Sequence, residues 1–211
     1  MIANEMADDM INDVARELAR AFPADPEQLA VLHERLAAFA ARDGILDVAY
    51  RTIDTPVGTL LLAATEQGLV RVAYASENHD AVLQTLADRI SPRVLHAPAR
   101  LDATAIELEE YFAGRRRSFD VALDWRLSVG FRSIVLRHLP EIAYGRTASY
   151  AAVAQLAGNA KAVRAVGTAC ATNPLPVIVP CHRVVRSDGG MGGYLGGVEA
   201  KRTLLTLEAA A

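Results

Sequence analysis

A thiol and an imidazole stand side by side at Cys181 and His182, inside the stretch IVPCHRVV. Three chemistries fit such a pair: a nucleophile with its base, two metal ligands, or an ordinary buried segment. A free thiol titrates near pH ~8.5, so attack on carbon requires a group that takes its proton, directly or through water. On an extended segment neighbouring side chains point to opposite faces, so the two need not touch and a third group would have to orient His182. Glu208, late in the last helical stretch, is the candidate carboxylate. The metal reading is weaker, because no second closely spaced ligand pair accompanies Cys-His. The other cysteine, Cys170, is expected to be buried and inert. Two cysteines are too few for a disulfide framework, and a reducing compartment leaves both free for chemistry.

The elements that must position this pair lie in a chain of 211 residues, long enough for one large domain or two small ones. Its 52% hydrophobic content argues against disorder. The apolar runs stop well short of the roughly 18 residues that a membrane helix needs. The start, MIANEMADDM, lacks a basic and apolar leader, so a cytoplasmic protein without membrane contact is expected. Charge is uneven. Residues 1–47 hold 10 acids and 4 bases, net −6; residues 48–129 hold 11 and 9, net −2; residues 130–211 hold 4 and 9, net +5. The basic third contains Cys181 and His182, which suits an anionic partner, although an uneven surface would look the same.

Periodicity divides the chain into three parts. Residues 1–45 predict an acidic helical hairpin. Met6, Met10, Val14, Leu18 and Phe22 recur every four residues, and Asp25 before Pro26 caps a second helix through Leu29, Leu32, Leu36 and Phe39, with Gly44 as its stop. Residues 46–127 predict an α+β module. Three strand-like runs come first, then helices over 79–90 and 102–113, the latter with Ile106, Leu108, Tyr111 and Phe112 as its apolar residues, and a last strand in GRRRSFDVALDW. Residues 128–211 read as helical. SYAAVAQLAG, capped by Thr147 or Ser149, and a second short helix starting at or beside Asn159 form a helix-turn-helix. A proline-bounded apolar segment, a Gly-rich loop and a terminal helix follow.

The second short helix carries mostly Ala, Val, Gly, Thr and Cys, with only Lys161 and Arg164 long and charged. A smooth face with one projecting arginine suits close approach to a narrow groove and insertion of that arginine into a base stack. By itself the helix fits simple packing against a core better, since Ala-rich helices are common.

Taken together, PCHRVV at 180–185, SYAAVAQLAG at 149–158, AVRAVGTACATNP at 162–174, GGYLGG at 192–197 and KRTLLTLE at 201–208 resemble the O6-alkylguanine-DNA alkyltransferases, in order and spacing. The resemblance is specific over 130–208, looser over 46–127, and does not cover 1–45. It implies a ribonuclease-H-like N-terminal domain followed by a winged-helix-like domain for DNA binding and catalysis. It implies that Cys181 accepts an alkyl group from O6 of guanine, and by extension O4 of thymine, and keeps it. His182 would act as base through a water, oriented by Glu208. Asn173 would tie the helix-turn-helix to the acceptor segment, and Tyr150 would donate a proton or hydrogen bond to the departing ring. The carbonyls of Cys181 and Val184 would receive the guanine amino group, Tyr194 would wall the pocket, and the N–H of Leu195 would face O6. Arg164 would fill the gap left by the flipped nucleotide, with Lys161, Ala162, Ala165 and Gly167 at the groove. The implied partner is double-stranded DNA carrying O6-alkylguanine, bound by a monomer with no cofactor and no metal.

Three positions depart from common family residues: Leu195, whose bulk could reshape the pocket, Val163, and Arg132 after Phe131. A non-catalytic DNA-binding protein is the first alternative, and the acceptor thiol argues against it. A thiol hydrolase is the second, and it would need an oxyanion hole that the sequence does not name. For residues 1–45 the charge disfavours DNA contact and leaves a partner-binding role open.

Overall fold

The computed structural model describes residues 25–209. The chain divides into two units, Met1–Asp43 and Gly44–Ala211. Of the first, α1 (Pro26–Arg42) is described. Asp25 caps it as the sequence predicts, its side chain accepting from the Glu27 N–H at 3.0 Å, and proline occupies the first turn, where no N–H is needed. The helix predicted over 4–21 lies outside the described residues.

In the second unit, β1 (Val48–Ile53), β2 (Leu60–Thr65) and β3 (Gly68–Tyr74) form an antiparallel meander. A short β4 (Val94–His96) pairs in parallel with β1, giving the order β3-β2-β1-β4. β2 is buried along its whole length because both faces of the sheet are covered. Leu61 and Ala63 pack with Val82 and Leu86 of α2 (His79–Arg89). Leu60 and Leu62 face the opposite way, into a core shared with Leu108 and Tyr111 of α3 (Asp102–Phe112) and with the C-terminal third. This two-residue alternation is what a strand between two apolar layers must show.

Several sequence expectations change. No strand forms in GRRRSFDVALDW; an isolated bridge joins Leu123 to Leu69, and the Asp124 side chain accepts from Thr65 Oγ1 at 2.5 Å. Ile106 is exposed rather than a core residue of α3. β4, which is only three residues long, was not anticipated.

The C-terminal third holds α4 (Gly130–His138), β5 (Ala148–Ser149), α5 (Tyr150–Leu156), α6 (Val163–Ala171), β6 (Val184–Val185) and α7 (Gly197–Ala209). Ser149 caps α5, accepting from the Ala152 N–H. α6 begins at Val163, four residues later than Asn159, because the Asn159 side chain accepts from the Lys161 N–H and closes a separate turn. β5 and β6 pair in parallel and bring the start of α5 beside the end of the PCHRVV segment. The apolar stretch before Cys181 is not an extended strand. The Val179 N–H bonds the Leu175 carbonyl, and Cys181–Arg183 form a 3-10 turn.

Candidate active site

The tight chain path places Cys181 at the start of the 3-10 turn, 2% exposed. Val177, buried just upstream, has φ +72°, a conformation that a β-branched residue avoids and that persists only where surrounding contacts impose it. Asn173 supplies such contacts. It is fully buried; its Nδ2 donates to the Val179 carbonyl at 2.9 Å and to Cys181 Sγ at 3.2 Å, while its Oδ1 accepts from the Leu175 N–H at 3.0 Å. One side chain therefore links the end of the helix-turn-helix to the thiol. Burial pushes the Cys181 thiol up to about 11, against the pull of the Asn173 donor and the Lys201 charge. In the resting site the sulfur is a thiol, and a base is needed to make the nucleophile.

The imidazole of His182, the candidate base, stands next in the chain. The 3-10 turn, rather than an extended segment, directs His182 into the core, where its Nε2 lies 2.8 Å from Glu208 Oε1. Nε2–H donates to the carboxylate, which leaves Nδ1 as the lone-pair nitrogen. Nδ1 is buried and has no partner among the described residues. Burial lowers the His182 pKa, outweighing Glu208, so the ring is neutral and able to accept a proton.

Glu208, 3% exposed near the end of α7, is held from several sides. Burial alone would raise its pKa, but hydrogen bonds from His182, Arg183 and Tyr111 hold the carboxyl at about 2. Arg183 Nη2 donates to Oε1 at 2.9 Å and Nε to Oε2 at 3.0 Å, the Tyr111 hydroxyl donates at 2.7 Å, and the Gly145 N–H at 3.2 Å. Arg183 and Tyr111 were not singled out from the sequence. Arg183 lies inside PCHRVV and could have been paired with Glu208 on charge alone; Tyr111 is 97 residues away and carries no local signal.

Lys201 was likewise missed. It is fully buried, and its Nζ donates to the Val184 carbonyl at 2.6 Å and to the Met191 carbonyl. Burial lowers its pKa. The Val184 carbonyl expected to receive a guanine amino group is thus already engaged by one donor, with its second lone pair left over. The Cys181 carbonyl similarly accepts the Val184 N–H. Tyr150 opens α5 with its hydroxyl against Gly192, and burial raises its pKa, which keeps it a donor. Tyr194 stands edge-on to His182, ring centres 6.4 Å apart. Leu195 lines a cavity of about 350 Å³ with Arg71, Leu86, Arg132, Thr172 and Pro174; neither Cys181 nor His182 is on its walls.

The groove candidates are separate from this cluster. On α6, Val166, Ala169 and Cys170 pack inward. Arg164 and Ala165 are exposed, as is Lys161 before the helix; Ala162 and Gly167 are partly so, and a Cβ at Gly167 would meet nothing within 4 Å. The outer face is smooth, as the composition requires. Cys170 is buried, and burial raises its pKa, so its thiol stays protonated. Among the described residues no cluster of metal-ligating side chains occurs, and no helix is long and apolar enough to cross a membrane.

Residues 48–125 match the family model of the 6-O-methylguanine DNA methyltransferase ribonuclease-like domain, and residues 130–210 match that of the DNA binding domain of the same proteins. The chain belongs to the 6-O-methylguanine DNA methyltransferase family. It is 39% identical over 162 residues to the methylated-DNA--protein-cysteine methyltransferase of Mycolicibacterium paratuberculosis, covering 76% of this chain and 92% of that one. It is 38% identical over 159 residues to the Methanosarcina barkeri protein of the same name, covering 75% and 96%. Among solved structures it resembles the Mycobacterium tuberculosis O6-methylguanine methyltransferase, with TM-score 0.68 and 37% identity over 77% of this chain and 93% of that one. The M. tuberculosis OGT in complex with DNA aligns with TM-score 0.66 and 38% identity over the same shares. The helix-turn-helix lies within the residues that match the DNA binding domain, and the α+β class read from the sequence holds.

Proposed function

We propose that this protein repairs DNA by direct reversal, moving the alkyl group of O6-alkylguanine irreversibly to Cys181 Sγ, once per molecule. The observation that carries this reading is the buried chain Asn173–Cys181, His182–Glu208: a thiol held by a donor beside a neutral imidazole fixed by an ionised carboxylate. The Cys181 proton passes to His182 Nδ1, through a water if the two do not meet directly. The imidazolium that forms is stabilised by Glu208. The thiolate attacks the alkyl carbon in line; the S–C bond forms as the C–O6 bond breaks. Guanine leaves as a poor anion unless its ring gains a proton, and the Tyr150 hydroxyl is the donor assigned to it. The product is a thioether, which no hydrolytic step in this site reverses.

A lesion inside a duplex must be extruded to reach a thiol this buried. The smooth outer face of α6 is assigned to the minor groove, with Arg164 filling the vacated stack and Lys161, Ala162, Ala165 and Gly167 at the groove wall. Val184 and Leu195 present backbone groups to the extruded base, and Tyr194 forms its wall. The reading includes a monomer acting in the cytoplasm, with O4-alkylthymine as a second substrate. The domain limits 46–127 and 128–211 belong to the same proposal, with 1–45 as an extension.

The test is intact-protein mass spectrometry with peptide mapping after mixing with duplex DNA bearing one O6-methylguanine. One methyl per molecule on Cys181, absent in Cys181→Ala, is expected. An unmodified Cys181 on bound DNA would overturn the reading.

A further inference from the structure

The ribonuclease-like part reaches the site at a point that none of these roles uses. β3 ends at Tyr74, which is 3% exposed, and its hydroxyl lies 2.9 Å from that of Tyr194, 120 residues further along the chain. The two rings meet edge to face, centres 5.8 Å apart at 75°. Tyr194 in turn stands at 89° to the His182 ring. The Tyr74 ring also presses on the loop backbone. A Cβ added at Gly196 would fall 2.6 Å from its Cε1 and Cζ, so any side chain there would displace ring or loop. At the other end of the loop, a Cβ at Gly192 would fall 3.0 Å from the Tyr150 hydroxyl. The Gly-rich loop is therefore held between two tyrosines.

Tyr74 is itself fixed. Its N–H donates to Glu77 Oε1 at 2.9 Å, and Glu77 is paired with Arg71. Two residues earlier on the same strand, the Val72 N–H donates to the Pro174 carbonyl at 2.8 Å, directly after the Asn173 that holds the thiol. One strand end thus braces both the segment that carries the acceptor and the loop that walls it.

We infer that Tyr74 is a positioning residue that limits the size of alkyl group the site accepts, by holding Tyr194 and Gly196 against outward movement of the loop. On this inference the longer the alkyl chain, the more the wall must yield and the hydroxyl pair part, so a butyl group depends on that bond more than a methyl group does. The inference rests on the alkyl-transfer reading above and adds a determinant of its substrate range from the other domain.

The experiment measures single-turnover rate constants for O6-methylguanine and O6-butylguanine in the same duplex, with wild type and Tyr74→Phe. Phenylalanine keeps the ring packing and removes only the hydroxyl bond. The butyl-to-methyl ratio is expected to rise about 2- to 10-fold, the range that the net strength of one neutral hydrogen bond spans. Thermal unfolding is followed alongside. If Tyr74→Phe melts below the assay temperature, Tyr194→Phe removes the same bond from the other side and is expected to raise the same ratio. An unchanged ratio, or parallel loss of both rates in a folded variant, overturns the inference. Failure of wild type to gain any methyl on Cys181 would instead strike the alkyl-transfer reading, so the two failures are distinct.

Discussion

Replacing Glu208 by glutamine changes one atom at a buried carboxylate that accepts from four residues. Its oxygens accept from Tyr111, His182, Arg183 and Gly145, all donors. The amide must turn its NH₂ toward some of them, so donor meets donor in either orientation. Arg183 is 6% exposed and would keep its charge with no counter-charge, held by the Ile142 carbonyl at 2.7 Å, the Tyr144 face at 5.7 Å and at most the one remaining amide oxygen. Removing one partner of a buried ion pair costs about 3–5 kcal/mol. Linkage gives a similar figure independently. A carboxyl moved from 4.5 in the unfolded chain to about 2 in the fold contributes about 3 kcal/mol. Because the folded pKa is depressed, that contribution is complete above pH 4.5 and is lost as pH falls toward 2. The assay is denaturant unfolding followed by the single tryptophan, Trp125, at a series of pH values. Wild type should exceed Glu208→Gln by about 3 kcal/mol at neutral pH, and the gap should close toward pH ~2. Alkyl transfer by folded variant should slow roughly 100-fold, the lower end of what a positioned base contributes. A gap below about 1 kcal/mol, or one that does not vary with pH, would refute the assignment of Glu208 as an ionised buried anchor.

Other outcomes follow from the same geometry. Since burial lowers the His182 pKa, the alkyl-transfer rate should hold as pH falls through 6.5 and decline only below it; a decline centred at or above 6.5 in a single-turnover pH profile would contradict a neutral buried base. Asn173→Asp puts an acceptor against Sγ and the Val179 carbonyl, so the rate of Cys181 alkylation by iodoacetamide should fall about tenfold or more across neutral pH. Lys201→Met leaves the Val184 and Met191 carbonyls without their donor, and calorimetry or denaturant unfolding should register a loss of about 1.5–3 kcal/mol. Arg164→Ala should slow repair in duplex DNA by roughly tenfold or more while leaving reaction with the free O6-alkylguanine base unchanged, because only the duplex requires an unstacked nucleotide to be replaced.

The reach of the sequence can be judged element by element. Strands β1 to β3 were legible because the strand-like runs are split by the turns TPVG and EQG, and α1 because Asp25 and Pro26 mark its start. β4 was not, since three residues hold less than two periods of alternation. A strand was expected around Leu123; the Leu69 N–H and carbonyl do bond the Ala122 carbonyl and the Asp124 N–H, but the pairing stops at that one bridge. The late start of α6 reflects a side chain competing with the helix for a backbone donor.

Residue types and their order already determined which groups are available here: a thiol with an imidazole beside it, an amide upstream, a carboxylate downstream and a small-residue helix with Lys161 and Arg164 near its start. These are local properties, carried by motifs in which each residue's identity matters more than its distant neighbours. Only the tertiary structure decided how they act. The 3-10 turn sends His182 inward to Glu208, and the core makes the thiol a weak acid and the imidazole a neutral base by removing both from water. Tyr111 and Tyr74, 97 and 120 residues from their partners, join the site because the sheet and α3 of one domain pack on the loop and last helix of the other. Desolvation and contacts between segments far apart in the chain depend on what the whole fold brings together, and no local pattern encodes them.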